Sequence, residues 1–121
     1  MSAASIVKFD QFLLVTVQTY MDDQAVLELT ESLGNAVVRH AAIGVLIDIS
    51  AVDVLDSFMA RTLATMASAS RLLGAETVVV GMRPEVALTL VELGMDVGDL
   101  RTALNVDAGT ALLRRRPPGS R

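Results

Sequence analysis

The sequence predicts an α/β domain with a mostly parallel sheet of about five strands, and three observations carry that prediction. Two short stretches, GVLIDIS at 44–50 and ETVVVGM at 76–82, are apolar on both faces, as central strands covered by helices on each side must be. They alternate with longer stretches whose apolar residues recur at the three- and four-residue spacing of an amphipathic helix. Three such βα units follow a starting hairpin, which implies parallel neighbours joined by right-handed crossovers. At 121 residues the chain suits one domain with a single core.

In order, IVKF, the pair Asp10-Gln11 and FLLVTVQ predict a strand, a turn and a second strand in which Leu13, Val15 and Val17 share a face. The stretch MDDQAVLELTESLGNAVVRH predicts a helix. Asp22 is placed to cap it, Asp23 sits in the first turn where the dipole favours an acid, and Val26, Leu29, Leu33 and Val37 form the buried stripe. Glu28, Glu31, Asn35 and Arg39 face outward, and His40, the only histidine, closes the helix. After GVLIDIS, a helix starts at Asp56-Ser57 and runs to about Leu73, with Gly74 as its stop. Its inward face is read as Met59, Leu63, Met66, Ser70 and Leu73, its outward face as Arg61, Thr65, Ser68 and Arg71. After ETVVVGM, RPEVALTLVEL makes a helix with Pro84 in its first turn and Gly94 as terminator. A short strand at 101–104 and a helix at 107–115 complete the order β-β-α-β-α-β-α-β-α.

Composition narrows the function. The chain is 52% hydrophobic with a mean hydropathy of +0.51, yet no apolar run approaches the roughly 20 residues of a membrane span. The surplus suggests a surface partly covered by partners, although a dense core accounts for it as well. Cysteine is absent, so disulfides and thiolate metal sites are excluded. The N-terminus MSAASIVKFD has no basic start followed by an apolar core, so no signal peptide is expected, and the reading is cytoplasmic. The net charge of −4 is uneven: up to Leu113, six basic residues stand against fourteen acidic ones. An acidic body with 3% aromatics argues against a nucleic-acid partner. The domain is therefore drawn as 1–113, with 114–121 as a basic, disordered tail stopped by Pro117 and Pro118.

Function in open α/β sheets gathers at the carboxyl ends of the strands, which directs attention to SAVDVLDS after GVLIDIS. Neither G-x-G-x-x-G nor G-x-x-x-x-G-K-[ST] occurs, and Lys8 is the only lysine. With one distant histidine and no cysteine, a nucleophile with base and orienter is hard to assemble, so no catalytic set and no cofactor are assigned. Asp53 and Asp56 alone would hold Mg²⁺ weakly, and no metal site is assigned. Asp56 reads as an N-cap. Ser57 has two readings. It is a second capping hydroxyl, or it is a phosphoacceptor, since the free amides and dipole of a helix start favour an anion. The added charge would lie near Asp53 and Asp56, with Arg61 one turn on as a partial counterweight. The helix behind it has no acid after Asp56 and is rich in small residues (Ala60, Ala64 and Ala67), which suits close approach of another protein or of another element of the same chain.

The strand GVLIDIS, the helix start VDVLDS and the later VGMRPEVA resemble the STAS domain of anti-sigma factor antagonists, from about Ile6 to Leu113. The segments LDSFMARTL, GAETVVVGMRPEVALTLVELGM and MDDQAVLEL are most similar to the small, single-domain STAS scaffold subunit of the stressosome. The resemblance implies a STAS fold and a non-enzymatic scaffold that binds a switch serine/threonine kinase until it is phosphorylated. It implies co-assembly with larger sensor-bearing STAS paralogues, a dedicated serine phosphatase that resets the site, and homodimers of the domain. Carried over, Ser57 takes the place of the phosphoacceptor and Asp56 of the acid before it. Thr89 resembles a second phosphorylatable position of the larger paralogues. Simple antagonists follow the serine with a small hydroxyl residue and glycine. Here Phe58 and Met59 follow, favouring the stressosome subunit and implying that the partner surface over Asp53, Asp56, Phe58 and Arg61 admits a bulky contact. The competing expectations are a direct antagonist that binds an anti-sigma kinase, and an enzyme or nucleotide-binding module using the strand-end pocket.

Overall fold

A computed structural model describes residues 4–18, 21–53, 55–92 and 100–115. The elements are β1 (Ala4–Phe9), β2 (Phe12–Val17), α1 (Asp23–His40), β3 (Gly44–Asp48), α2 (Ser57–Leu72), β4 (Glu76–Val80), α3 (Pro84–Glu92), β5 (Arg101–Ala103) and α4 (Val106–Arg114). This is the order expected from the sequence. The strands lie in the sheet as β1-β2-β3-β4-β5. β1 pairs antiparallel with β2, and every other neighbour pair is parallel. The hairpin turns on Asp10, which takes φ 55°, a left-handed conformation that aspartate tolerates better than most residues. Gly94, expected to end α3, lies outside the described residues.

Sequential crossovers of one hand place every connecting helix on one face. That face carries α1, α2 and α3 over Leu13, Val15, Val17, Val45, Ile47 and Val79. The last helix connects no further strand and can take the other face, where Leu113 joins Phe12, Leu46, Val78 and Val80 in a second cluster. Gly109 allows this close approach, because a Cβ there would lie 2.6 Å from Leu46 Cδ2 and 2.7 Å from Val80 Cγ1. β2, β3 and β4 thus meet apolar cover on both sides, which is why their sequences barely alternate.

Two details depart from the sequence reading. Arg114, assigned to the tail, is the last residue of α4; its guanidinium pairs with the Asp10 carboxylate and lies 5.2 Å from the centroid of the Phe12 ring. Leu73, assigned to the core, is the α2 C-cap and is 46% exposed. Ala60 and Ala67, open in the sequence to another protein or to another element of the same chain, are buried within the fold, which takes the second alternative. Arg61, Thr65, Ser68 and Arg71 face solvent as expected.

Candidate functional site

The parallel strands end at one edge of the sheet, and α1, α2, α3 and α4 all start from it. The loop after β3 is held there by local and distant bonds. The Ile49 amide donates to Val80 O at 3.0 Å and the Val52 amide to Ile49 O at 2.9 Å, while Val52 and Leu55 are buried as apolar anchors. Arg83 Nε donates to Ser50 O at 3.2 Å and ties this loop to the start of α3. The Asp48 carboxylate accepts from the Ser50 amide at 2.9 Å. Gly81, at φ 77°, fits against that turn: a Cβ would lie 2.9 Å from both Asp48 Oδ1 and Ser50 Cβ. Arg83, Asp48 and Gly81 were not singled out from the sequence. The G-M-R-P run after an apolar strand was the available signal, but its contact partners lie some thirty residues away.

On this support sits the start of α2. Asp56 is the N-cap, with extended backbone and its Oδ1 accepting from the Met59 amide at 2.9 Å. The Ala60 amide donates to Asp56 O at 3.0 Å. Ser57 is the first helical residue and is half-buried. Asp56 therefore performs the capping, as its position in the sequence suggested, and the Ser57 hydroxyl is not needed for it. The amides of Ser57 and Phe58 precede the first possible intrahelical acceptor, and among the described residues neither they nor the Ser57 hydroxyl has a hydrogen-bond partner. The first turn carries no acid of its own. Asp53 and Arg61 are exposed around it, and Phe58 is half-buried, leaning on the main core. All five residues singled out at this helix start thus fall at one corner. Thr89 does not join them: it lies midway along α3, half-buried, with its hydroxyl donating to Glu85 O at 2.9 Å. His40 ends α1 at the opposite edge of the sheet, so no serine–histidine pair forms at Ser57.

A cavity of about 370 Å³ opens at the same edge on the α4 side, lined by Asp48, Ser50, Val80, Gly81, Leu104, Asn105, Val106 and Asp107. Ser57 is not among its walls. Asn105 is engaged as the α4 N-cap, accepting from the Ala108 amide at 2.9 Å. The lining holds two carboxylates and no cationic side chain, a poor match for nucleotide phosphates. Among the described residues, no group of three or more potential metal ligands converges. No described helix is long and apolar enough to cross a membrane.

Comparison with known proteins adds the following. The STAS domain family model matches residues 3–108. The RsbT co-antagonist protein RsbRA of Bacillus subtilis (strain 168) is 34% identical over 109 residues, which are 90% of this chain and 40% of that protein. The match covers 40% or less of the length of each of the three RsbT co-antagonist relatives. Among solved structures, a serine-to-glutamate variant of RsbS from Moorella thermoacetica is 36% identical, with a TM-score of 0.78 over 93% of this chain and 96% of that one. A structure described as the molecular architecture of the stressosome, a signal integration and transduction hub, is likewise 36% identical, with a TM-score of 0.75 over 91% of this chain and 96% of that one.

Proposed function

Because the chain belongs to the STAS-domain family, among relatives that are stressosome proteins, we propose that it is a non-enzymatic scaffold of a stressosome and a switch controlled by phosphorylation of Ser57. It binds a switch serine/threonine kinase while Ser57 is unmodified and releases the kinase once Ser57 carries a phosphate. A serine phosphatase restores the first state. The domain works as a homodimer within a larger assembly that includes sensor-bearing STAS paralogues.

The observation that carries this reading is the separation of roles at the start of α2. Asp56 caps the helix through its own carboxylate, so modifying Ser57 does not remove the cap. The Ser57 and Phe58 amides, without a hydrogen-bond partner among the described residues, favour an anion placed there. A phosphate adds roughly −1.5 to −2 charges beside Asp53 and Asp56. Buried Met59 and Leu55 hold the helix start in place, so the new charge changes the surface and leaves the fold intact. A partner whose surface accepts Phe58 and pairs with the neutral serine then meets a doubly charged group.

The test is kinase capture by the unmodified and the fully phosphorylated chain. Phosphorylation is expected to weaken capture about a hundredfold, equivalent to about 2.8 kcal/mol. Ser57→Asp weakens it less, since one carboxylate reproduces only part of a phosphate's charge and oxygens. Equal capture of the two forms would remove the switch from this account.

A further inference from the structure

The outer face of α1 is divided in a way that the proposed switch does not use. The helix packs Leu29, Leu33 and Val37 against the sheet. On the solvent side, Leu27, Glu31 and Val38 step along one face at helical spacing, with Gly34 half-buried between them. Leu27 is 64% exposed and Val38 66%. The end of α2 extends this apolar line: Leu73 is 46% exposed and Leu72 89%, and Leu73 Cδ1 lies 3.7 Å from where a Cβ on Gly34 would be. Leu73 thus covers Gly34, and exposed apolar side chains stand at both ends of the α1 face, Leu27 at one and Val38 with Leu73 at the other, as a surface on which another helix can pack.

The charges along that surface change sign from end to end. Around Leu27 stand Asp23, Glu28 and Glu31; around Val38 stand Arg39 and His40, with Arg71 next to Leu72. A uniformly charged partner, such as an anionic lipid surface, would be attracted at one half and repelled at the other. A second α1 laid antiparallel suits both halves at once. Leu27 then meets Val38 of the second copy, and Glu28 of each copy faces Arg39 of the other. Glu28 and Arg39 lie on the same flank of the helix, eleven residues apart like Leu27 and Val38, so the pairing is self-consistent under a two-fold rotation. Antiparallel helix dipoles also oppose each other favourably.

We propose that the outer face of α1, extended by Leu72 and Leu73, is the contact through which two copies of this chain form a two-fold dimer. The proposal deepens the homodimer part of the function given above, by assigning the surface, and is independent of whether Ser57 is phosphorylated.

The experiment is sedimentation equilibrium of the full chain, its Leu27→Asp and Val38→Asp variants, and a charge-swap series, with circular dichroism to verify folding. All substituted positions are exposed. The wild type is expected to dimerise, and each apolar-to-aspartate change to weaken the dimer at least tenfold. Glu28→Arg alone and Arg39→Glu alone are each expected to weaken it severalfold, because each puts like charges opposite one another. The double variant Glu28→Arg/Arg39→Glu should recover most of the loss. The chain has no cysteine, so site-directed cross-linking is clean. A mixture of Leu27→Cys and Val38→Cys chains should oxidise to a covalent dimer faster than either chain alone. A monomeric wild type at every concentration overturns both the surface and the homodimer reading. A dimer indifferent to all these changes overturns the surface and leaves the homodimer standing on some other face.

Discussion

Helices α1 and α2 begin with the same device and diverge one residue later. Asp22 caps α1 by accepting from the Ala25 amide at 2.9 Å, and Asp56 caps α2 by accepting from the Met59 amide at 2.9 Å. The next residue is Asp23 in α1 and Ser57 in α2. The first turn of α1 therefore carries an acid that answers the helix dipole, while the first turn of α2 carries none. The α4 start repeats the α1 arrangement, with Asn105 as cap and Asp107 in the first turn. The difference teaches that capping and charge compensation are separable. At α2 the cap is in place and the place of the compensating anion is taken by a modifiable hydroxyl.

This comparison can be put at risk in steps. Asp56→Ala should cost about 1–2 kcal/mol of stability, because α2 has no second anion in its first turn and its start is anchored in the core; urea titration measures it. Asp22→Ala should cost less, about 0.5–1 kcal/mol, because Asp23 remains beside the same amides. Equal losses at the two sites would mean that the missing acid of α2 has no energetic consequence. Ser57→Ala should shift stability by less than about 0.5 kcal/mol, since the hydroxyl makes no hydrogen bond among the described residues. A loss on the scale of Asp56→Ala would return Ser57 to the role of a structural cap.

The features legible in the sequence are those set by near neighbours. Asp22, Asp56, Pro84 and Gly74 mark helix ends through contacts within four residues, and the doubly apolar strands announce a covered sheet. Contacts between distant segments were not legible. Nothing local to Arg83 says that it reaches Ser50 O, and nothing local to Arg114 says that Asp10 and Phe12 await it. The small face of α2 was ambiguous for a physical reason: Ala60 and Ala67 permit close approach equally well to another element of the same chain or to a foreign helix, and both are buried within the fold. The function of Ser57 was ambiguous for a related reason. The same amides that a capping hydroxyl satisfies also attract a phosphate; the bond from the Met59 amide to Asp56 fills the cap without Ser57.

The most direct measurement of the central claim is the position of the phosphate. After incubation with the cognate switch kinase and Mg-ATP, mass spectrometry of the wild-type chain should find one phosphate, on Ser57. The Ser57→Ala chain, folded as judged by its unchanged urea midpoint, should acquire none. Labelling of the alanine variant to the wild-type level, or a phosphate on Thr89 in place of Ser57, would contradict the account.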